Sequence, residues 1–541
     1  MVRGKLIAAM LLTLAGSSSR AQDHQHGNGE KLGTVHFATS CNEMAQQEFN
    51  RAVALLHSFQ FSRGIEGFKA VLREDAGCGI AYWGIALSDW SNPFATGMKD
   101  NSQLQAGRES VGRGNTVGAK TERERAYLAA AGKLYGDFES TPQRERLIAY
   151  RDAMREVAAK YPEDHEAQIF YALAIAASED PADKTYAGRL QAGAILEKLF
   201  EEEPAHPGLA HYIIHTYDVP ALAGRALVAA RRYSAIAPDA PHALHMPSHT
   251  FTRTGYWQES IDSNIGAAAA ARREGQTAEE LHASDYEIYA YLQTGQDQAA
   301  RRVLDSLPEM ASRFDAKLVI SGAGGPSAGY FALAAIPARY ALERRDWSQA
   351  VQLPVRETPF PYAQAMTWFA RGFAAARLGK AAAANEPAAA LRQIRERLLK
   401  ASENYWARQV EIQEVEVRAW AALANGKKEE ALRQMKSAAE LEDGTEKSAV
   451  TPGPLAPARE LLGEMLLELH EPAQALTQFE ATLQKEPGRL RALYGAAQAA
   501  QLSGSRDTSQ RYFREMVKLC VRADKPGRSE VAEAQQAILQ N

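Results

Sequence analysis

The stretch LLGEMLLELHEPAQALTQFEATLQKEP, residues 461–487, decides the fold. Leu462, Gly463 and Leu466 follow one another at helical spacing, and Ala475, Phe479 and Thr482 do the same further on. Side chains three or four positions apart share a helix face. The stretch therefore reads as two helices, with small residues where they touch and large ones between. Pro487 closes the unit, because proline does not continue a helix.

The same order returns downstream at Ala497, Ala500, Gly504, Phe513 and Met516, and upstream in WAALANGKKEEALRQMKSAAE, 420–440, around Gly426, Ala431 and Met435. This pattern resembles the tetratricopeptide repeat, a helix–turn–helix unit of about 34 residues. The resemblance implies an all-α fold. Its form would be an α-solenoid, a right-handed superhelix whose first helices line a concave groove. Units fall between 45 and 94, 125 and 178, 188 and 300, 328 and 380, and 405 and 520. Loops or connectors are expected at 92–121, 321–329, 381–390 and 443–457, where Gly, Pro and small residues gather. The stretches HFATSC (36–41) and AYWGIALS (81–88) also resemble large exported bacterial tetratricopeptide proteins, a group that implies no settled activity.

A chain of 541 residues exceeds what one compact core holds, which agrees with a repeat array. Arg3 and Lys5 precede a short apolar run, Leu6–Ala15, and Ser19 and Ala21 suit cleavage before Gln22. We expect a signal peptide at 1–21, a flexible leader at 22–40, an N-terminal array with a histidine-rich groove at 41–320 and a C-terminal array at 328–541. The location implied is periplasmic or secreted. Loss of Arg3, Lys5 and Arg20 would move the formal charge from −4 to −7. An acidic chain without a basic run predicts no nucleic-acid partner. No apolar run long enough for a membrane span follows the N-terminus. Three cysteines occur. Cys41 and Cys78 lie one repeat apart, and export favours a disulfide between them, two buried thiols being the alternative.

The functional signal is histidine. HYIIH (211–215) and HMPSH (245–249) are offset by 34 residues, and six of the 13 histidines fall between 206 and 249. Superposing the units at Pro204 and Pro238 lays His211 on His245 and His215 on His249. Residues i and i+4 share a helix face, and packed helices lie about 8–10 Å apart. Four imidazoles can thus converge on the groove. His242 and Asp218 join the same patch. In the next unit, the turn at Gly295 sets His282 level with His242, Asp285 with His245 and Tyr289 with His249. His57, His165 and His206 read as structural. Pro247 breaks the pattern: a helix starting there would leave His245 in the preceding loop.

Imidazole donors suit a transition metal, with copper, zinc or iron as candidates. Taken in chain order, His211, His215, His242 and then His245, His249, His282 resemble the three-plus-three histidine order of the dicopper sites of arthropod haemocyanins. The similarity is one of spacing, not of fold. A hydrolase would need a general base, for which Asp218 and Asp285 are the candidates; no H-E-x-x-H occurs. A mature start at Gln22-Asp23-His24 is a further copper(II)-binding arrangement. No P-loop, dinucleotide fingerprint or G-x-S-x-G is found. Trp83 and Trp90 read as core, with groove lining for an apolar ligand as the alternative, and Tyr289 is a further groove candidate. Two functions follow: a scaffold that holds a protein or peptide partner, and a metalloenzyme built on the same histidines.

Overall fold

Phe479 fills the space between three helices, Ala458–Glu468, Pro472–Lys485 and Leu490–Leu502. A Cβ added at Gly463 or Gly495 would stand 2.9 or 2.4 Å from its ring. Glycine there lets the helices close on the aromatic. Burying such a side chain contributes about 1.5–3 kcal/mol. The device recurs where Phe68 covers Gly84 and where Tyr217 covers Gly193.

The computed structural model describes residues 29–95, 98–180, 182–317 and 322–539. The expected signal peptide and the Gln22-Asp23-His24 start lie outside the described residues. Among the described residues the regular structure is entirely helical. Consecutive helices pair through short turns, as in Trp257–Arg273 with Thr277–Gln293 and Asn404–Ala424 with Lys428–Asp443. Gly295 and Gly426 make such turns at φ 69° and 73°, a region that favours glycine. The chain is a solenoid-like array of helix pairs, the all-α repeat fold that the sequence pattern implied.

One apolar core runs from Leu32 to Phe251 and another from Phe331 to Ala534. Between them, helix Pro326–Glu343 packs against both Thr277–Gln293 and Pro361–Arg377. The two arrays are therefore joined by a shared helix layer. Among the described residues, no helix is long and apolar enough to cross a membrane.

The sulfurs of Cys41 and Cys78 are bonded, with Cα atoms 5.1 Å apart. The two cysteines stand just before helices Glu43–His57 and Ala81–Trp90, so stacking of successive repeats brings them together. Cys520 is a buried thiol.

Four expectations need correction. The stretch 92–121 is not simply a connector: residues 101–117 form the helix Asn101–Val117, with Asp100 accepting from Ser102 N at its start. The leader is not loose from residue 29 onward: Leu32, Val35 and Phe37 are buried, and Thr34 N–H donates to Ala205 O at 3.0 Å. The stretch 381–390 is largely helical, because Asn385 opens the helix Asn385–Lys400. The segment 443–457 does more than connect. It lies across helices Thr277–Gln293 and Pro326–Glu343, where Tyr286 Oη donates to Ala449 O and Thr451 O at 3.0 and 2.9 Å and Arg339 Nη2 donates to Gly453 O at 2.9 Å.

Candidate metal centre

Helix Pro207–Thr216 carries His211 and His215, and Pro207 occupies its first turn, where the missing N–H costs nothing. His206 caps this helix by accepting from Leu209 N at 3.3 Å. The second pair is built differently from the expected single helix or loop. Helix Pro241–His245 ends at Met246, and helix Pro247–Thr254 starts at once, with Met246 at φ −54°, ψ −35°. Pro247 thus becomes a helix start, and His245 stays on helical backbone. His282 comes from helix Thr277–Gln293.

The donor atoms of His211, His215 and His242 all lie within 4.8 Å of one another, and so do those of His245, His249 and His282. The two triads adjoin: ring centroids of His215 and His249, and of His242 and His245, are 5.9 Å apart. His282 meets His245 at 4.4 Å, one turn along from the register that Gly295 implied. None of the six is more than 6% exposed. This corrects the open groove expected from the sequence. Phe59, at 4.3 Å from the His211 ring, and Phe94, stacked at 4.3 Å on His215, close the first triad. Tyr286, at 4.8 Å from His245 and 4.9 Å from His249, backs the second.

Hydrogen bonds fix which nitrogen is free in His211, His245 and His249. His211 Nδ1 lies 2.6 Å from His57 O. A carbonyl can only accept, so Nδ1 carries the proton and Nε2 is a bare lone pair. Asn264 donates Nδ2–H to Ser260 O at 2.7 Å, which turns its oxygen to His245 Nδ1 at 2.7 Å. His249 Nδ1 lies 3.1 Å from Asp218 Oδ2. Both rings therefore also hold their proton on Nδ1. Their two Nε2 lone pairs face each other at 3.1 Å. Two nitrogens bound to one ion at about 2.0–2.1 Å stand about 3.3 Å apart at a tetrahedral angle. In the other triad, Nε2 of His211, His215 and His242 has no hydrogen-bond partner among the described residues. A buried unpaired polar atom costs about 1–3 kcal/mol.

Burial pushes His211, His215 and His245 well below the ordinary imidazole pKa, and neighbouring histidines add to the effect. Burial takes His249 down to about 4 against the pull of Asp218, and His282 down to about 3. Neutral rings are the form that binds metal.

The carboxylates stand behind the rings. Asp218 also accepts from Arg253 Nε at 2.9 Å and from Lys447 at 3.2 Å. Burial alone would raise its pKa; Lys447, Arg253 and His249 hold it well below the carboxylate range. Glu279 Oε2 lies 3.7 Å from His242 Nδ1, and its other oxygen accepts from Gly324 N at 2.6 Å. Asp218 bonds its ring directly, and an outer partner of that kind orients a metal-binding imidazole; Glu279 stands beyond hydrogen-bond distance of His242.

The expectations for the other residues are corrected. Asp218 is an outer partner of His249 rather than a member of a triad. Asp285 pairs with buried Arg339 at 2.8 Å. Trp83 is fully buried against Phe37, Tyr127 and Phe170. Trp90 packs on Tyr135. Tyr289 is buried and accepts from Arg489 Nη1 at 3.1 Å. None of these three lines the cleft at the histidines.

A third cluster, His57, Glu166 and His206, also gathers donor atoms, but it is closed by its own hydrogen bonds. His57 contacts Tyr212 Oη at 3.0 Å and Glu166 at 2.9 Å, and His206 contacts Glu166 at 3.0 Å. It supports the centre through the His57 carbonyl.

A cleft of about 440 Å³ reaches His215, His242, His249 and His282, with Lys99, Phe360, Tyr362 and Trp406 among its walls. Sequence reasoning missed Asn264, Glu279, Tyr286, Arg253 and Lys447. Glu279 and Tyr286 sit three before and four after His282, and Arg253 four after His249, so helical spacing points to these. Lys447 carries no such signal.

No protein-family model matches the chain, and no curated protein does. Among solved structures, the human IFIT1 dimer with m7Gppp-AAAA is 11% identical, covering 91% of this chain and 99% of that one at a TM-score of 0.37. The P58(IPK) TPR domain is 14% identical, covering 70% and 99% at a TM-score of 0.21. Likenesses this loose say nothing about what this chain binds.

Proposed function

We propose that the chain is a helical-repeat scaffold enclosing a dinuclear copper centre, His211, His215 and His242 holding one ion and His245, His249 and His282 the other. The observation that carries this reading is the meeting of the His245 and His249 Nε2 lone pairs at 3.1 Å. Two lone pairs that close repel each other unless a cation lies between them. The unpaired Nε2 atoms of the first triad support the same reading. Six imidazoles and no carboxylate in either triad suit copper better than a carboxylate-bridged iron or manganese pair. Hydrolysis is the weaker reading, because Asp218 and Asp285 are committed to Arg253, Lys447 and Arg339 and neither is free to act as base.

Such a centre supplies dioxygen binding, or oxidation of a small molecule by dioxygen. The chain's own residues would exclude bulk water, fix His211, His245 and His249 by their Nδ1 atoms and admit a planar apolar molecule past Phe360, Tyr362 and Trp406. We place the protein in an oxidising compartment, periplasmic or secreted, a reading supported by the Cys41–Cys78 bond. A protein or peptide partner on the repeat surface is compatible with this function and rests on the usual role of the repeat.

Metal analysis of protein purified without an affinity tag and loaded with copper tests the centre. Two equivalents per chain are expected, with one lost in His215→Ala and one in His249→Ala. Binding of no copper, or the full load in both variants, would overturn it.

A further inference from the structure

A second cavity of about 120 Å³, which adjoins the histidine cleft at Tyr362 and Trp406, lies in the C-terminal array, walled by Gln413, Glu416, Glu442, Glu486, Tyr405 and Trp406. Helix Asn404–Ala424 presents Gln413 and Glu416, the end of helix Lys428–Asp443 presents Glu442, and Glu486 ends helix Pro472–Lys485.

The basic groups around it are engaged. Arg459 and Lys485 bond Asp443. Arg253 and Lys447 bond Asp218, and Arg339 bonds Asp285. Among the described residues Glu416, Glu442 and Glu486 have no bonded cation, although Arg253, Arg489, Lys447 and Lys485 act on Glu486 from further off. Glu442 accepts from Ala458 N at 2.8 Å. Glu416 Oε1, Glu486 Oε2 and Gln413 Oε1 have no hydrogen-bond partner among the described residues, although Glu416 and Glu486 are 1% and 6% exposed. Every orphaned atom on this wall is an acceptor. Unpaired buried carboxylates are costly, and burial pushes Glu416 well above the ordinary carboxyl range and Glu442 up to about 7. The three carboxylates do not gather their oxygens as the histidine triads gather nitrogens, so the wall does not have the form of a metal site.

We propose that this cavity binds a primary ammonium group carried on a short alkyl chain. An ammonium brings three N–H donors and one positive charge to a wall of acceptors, and Tyr405 and Trp406 supply apolar and π surface for its stem. The group can arrive on a free amine or on a lysine side chain of a peptide. This assignment is independent of the copper centre.

Calorimetric titration of the whole chain with putrescine, with an N-acetylated lysine tripeptide and with neutral 1,4-butanediol tests it. Both amines are expected to bind and the diol not. Tighter binding of the tripeptide assigns the pocket to a lysine side chain, and tighter binding of putrescine assigns it to a free amine. Glu416→Gln and Glu486→Gln should each weaken amine binding about tenfold or more. Copper loading should stay unchanged, and the amine-free melting temperature of Glu416→Gln should equal or exceed the parent's. Absence of amine binding at about 10 mM, equal binding of the diol, or affinities untouched by both variants would overturn the assignment.

Discussion

His245 and His249 turn their Nε2 atoms to each other at 3.1 Å, while Asn264 and Asp218 hold their Nδ1 atoms from behind. The spacing belongs to one coordination shell, and the backing groups set the tautomer. Asn264→Ala removes the hold on His245 without touching a donor nitrogen. Metal affinity of the second triad should fall about 10–100-fold, with the first triad unaffected. A chelator-competition titration measures both, and equal affinity in parent and variant would show that Asn264 does not position the ring.

Asp218 is the common partner of His249, Arg253 and Lys447, all of them buried. Removing it leaves two cations without a counter-charge in the interior. Asp218→Ala should destabilise the protein by about 3–5 kcal/mol, read from urea unfolding. A loss below about 1 kcal/mol would mean that solvent reaches the network.

The Cys41–Cys78 bond closes a loop with a sequence separation of 37. On the chain-entropy model a loop of that size is worth about 3–4 kcal/mol. The double variant Cys41→Ser, Cys78→Ser should lose that amount, and the native parent should show no reactive thiol until Cys520 is exposed by denaturation. Two titratable thiols in the native state would contradict the bond.

Acid should weaken the metal-free protein. His249 and His282 titrate at about 4 and about 3 in the fold, below the ordinary 6.5 of an unfolded chain. The unfolded state therefore binds more protons between these values, and stability falls as pH drops from about 6.5 towards about 4. Each such histidine costs up to about 1.4 kcal/mol per pH unit. Melting temperature of the apo protein across this range checks it. A flat profile would mean that the rings are charged or solvated.

How much of this was legible beforehand depends on distance along the chain. The pairs 211/215 and 245/249 are one helical turn each, and their offset is one repeat, so phase alone put them on one surface. Chain order also grouped His282 with His245 and His249, although the Gly295 register aimed it one turn away. Trp83 and Trp90 were ambiguous for a physical reason: a large aromatic at helical spacing suits a core and a groove equally. The fold decided for the core by packing Trp83 against Phe37 and Trp90 against Tyr135, and it also buried the groove candidate Tyr289 beside Arg489.

Sequence periodicity by itself determined the helical repeat, the disulfide-competent cysteines and the face that carries the histidines, because each depends on spacing within a unit or between adjacent units. The tertiary structure decided that this face is enclosed. Lys447 reaches Asp218 across 229 residues, and the 443–457 segment lies over the second triad. Closure of this kind depends on how the whole superhelix curls, a sum of small rotations at every repeat that no local pattern encodes.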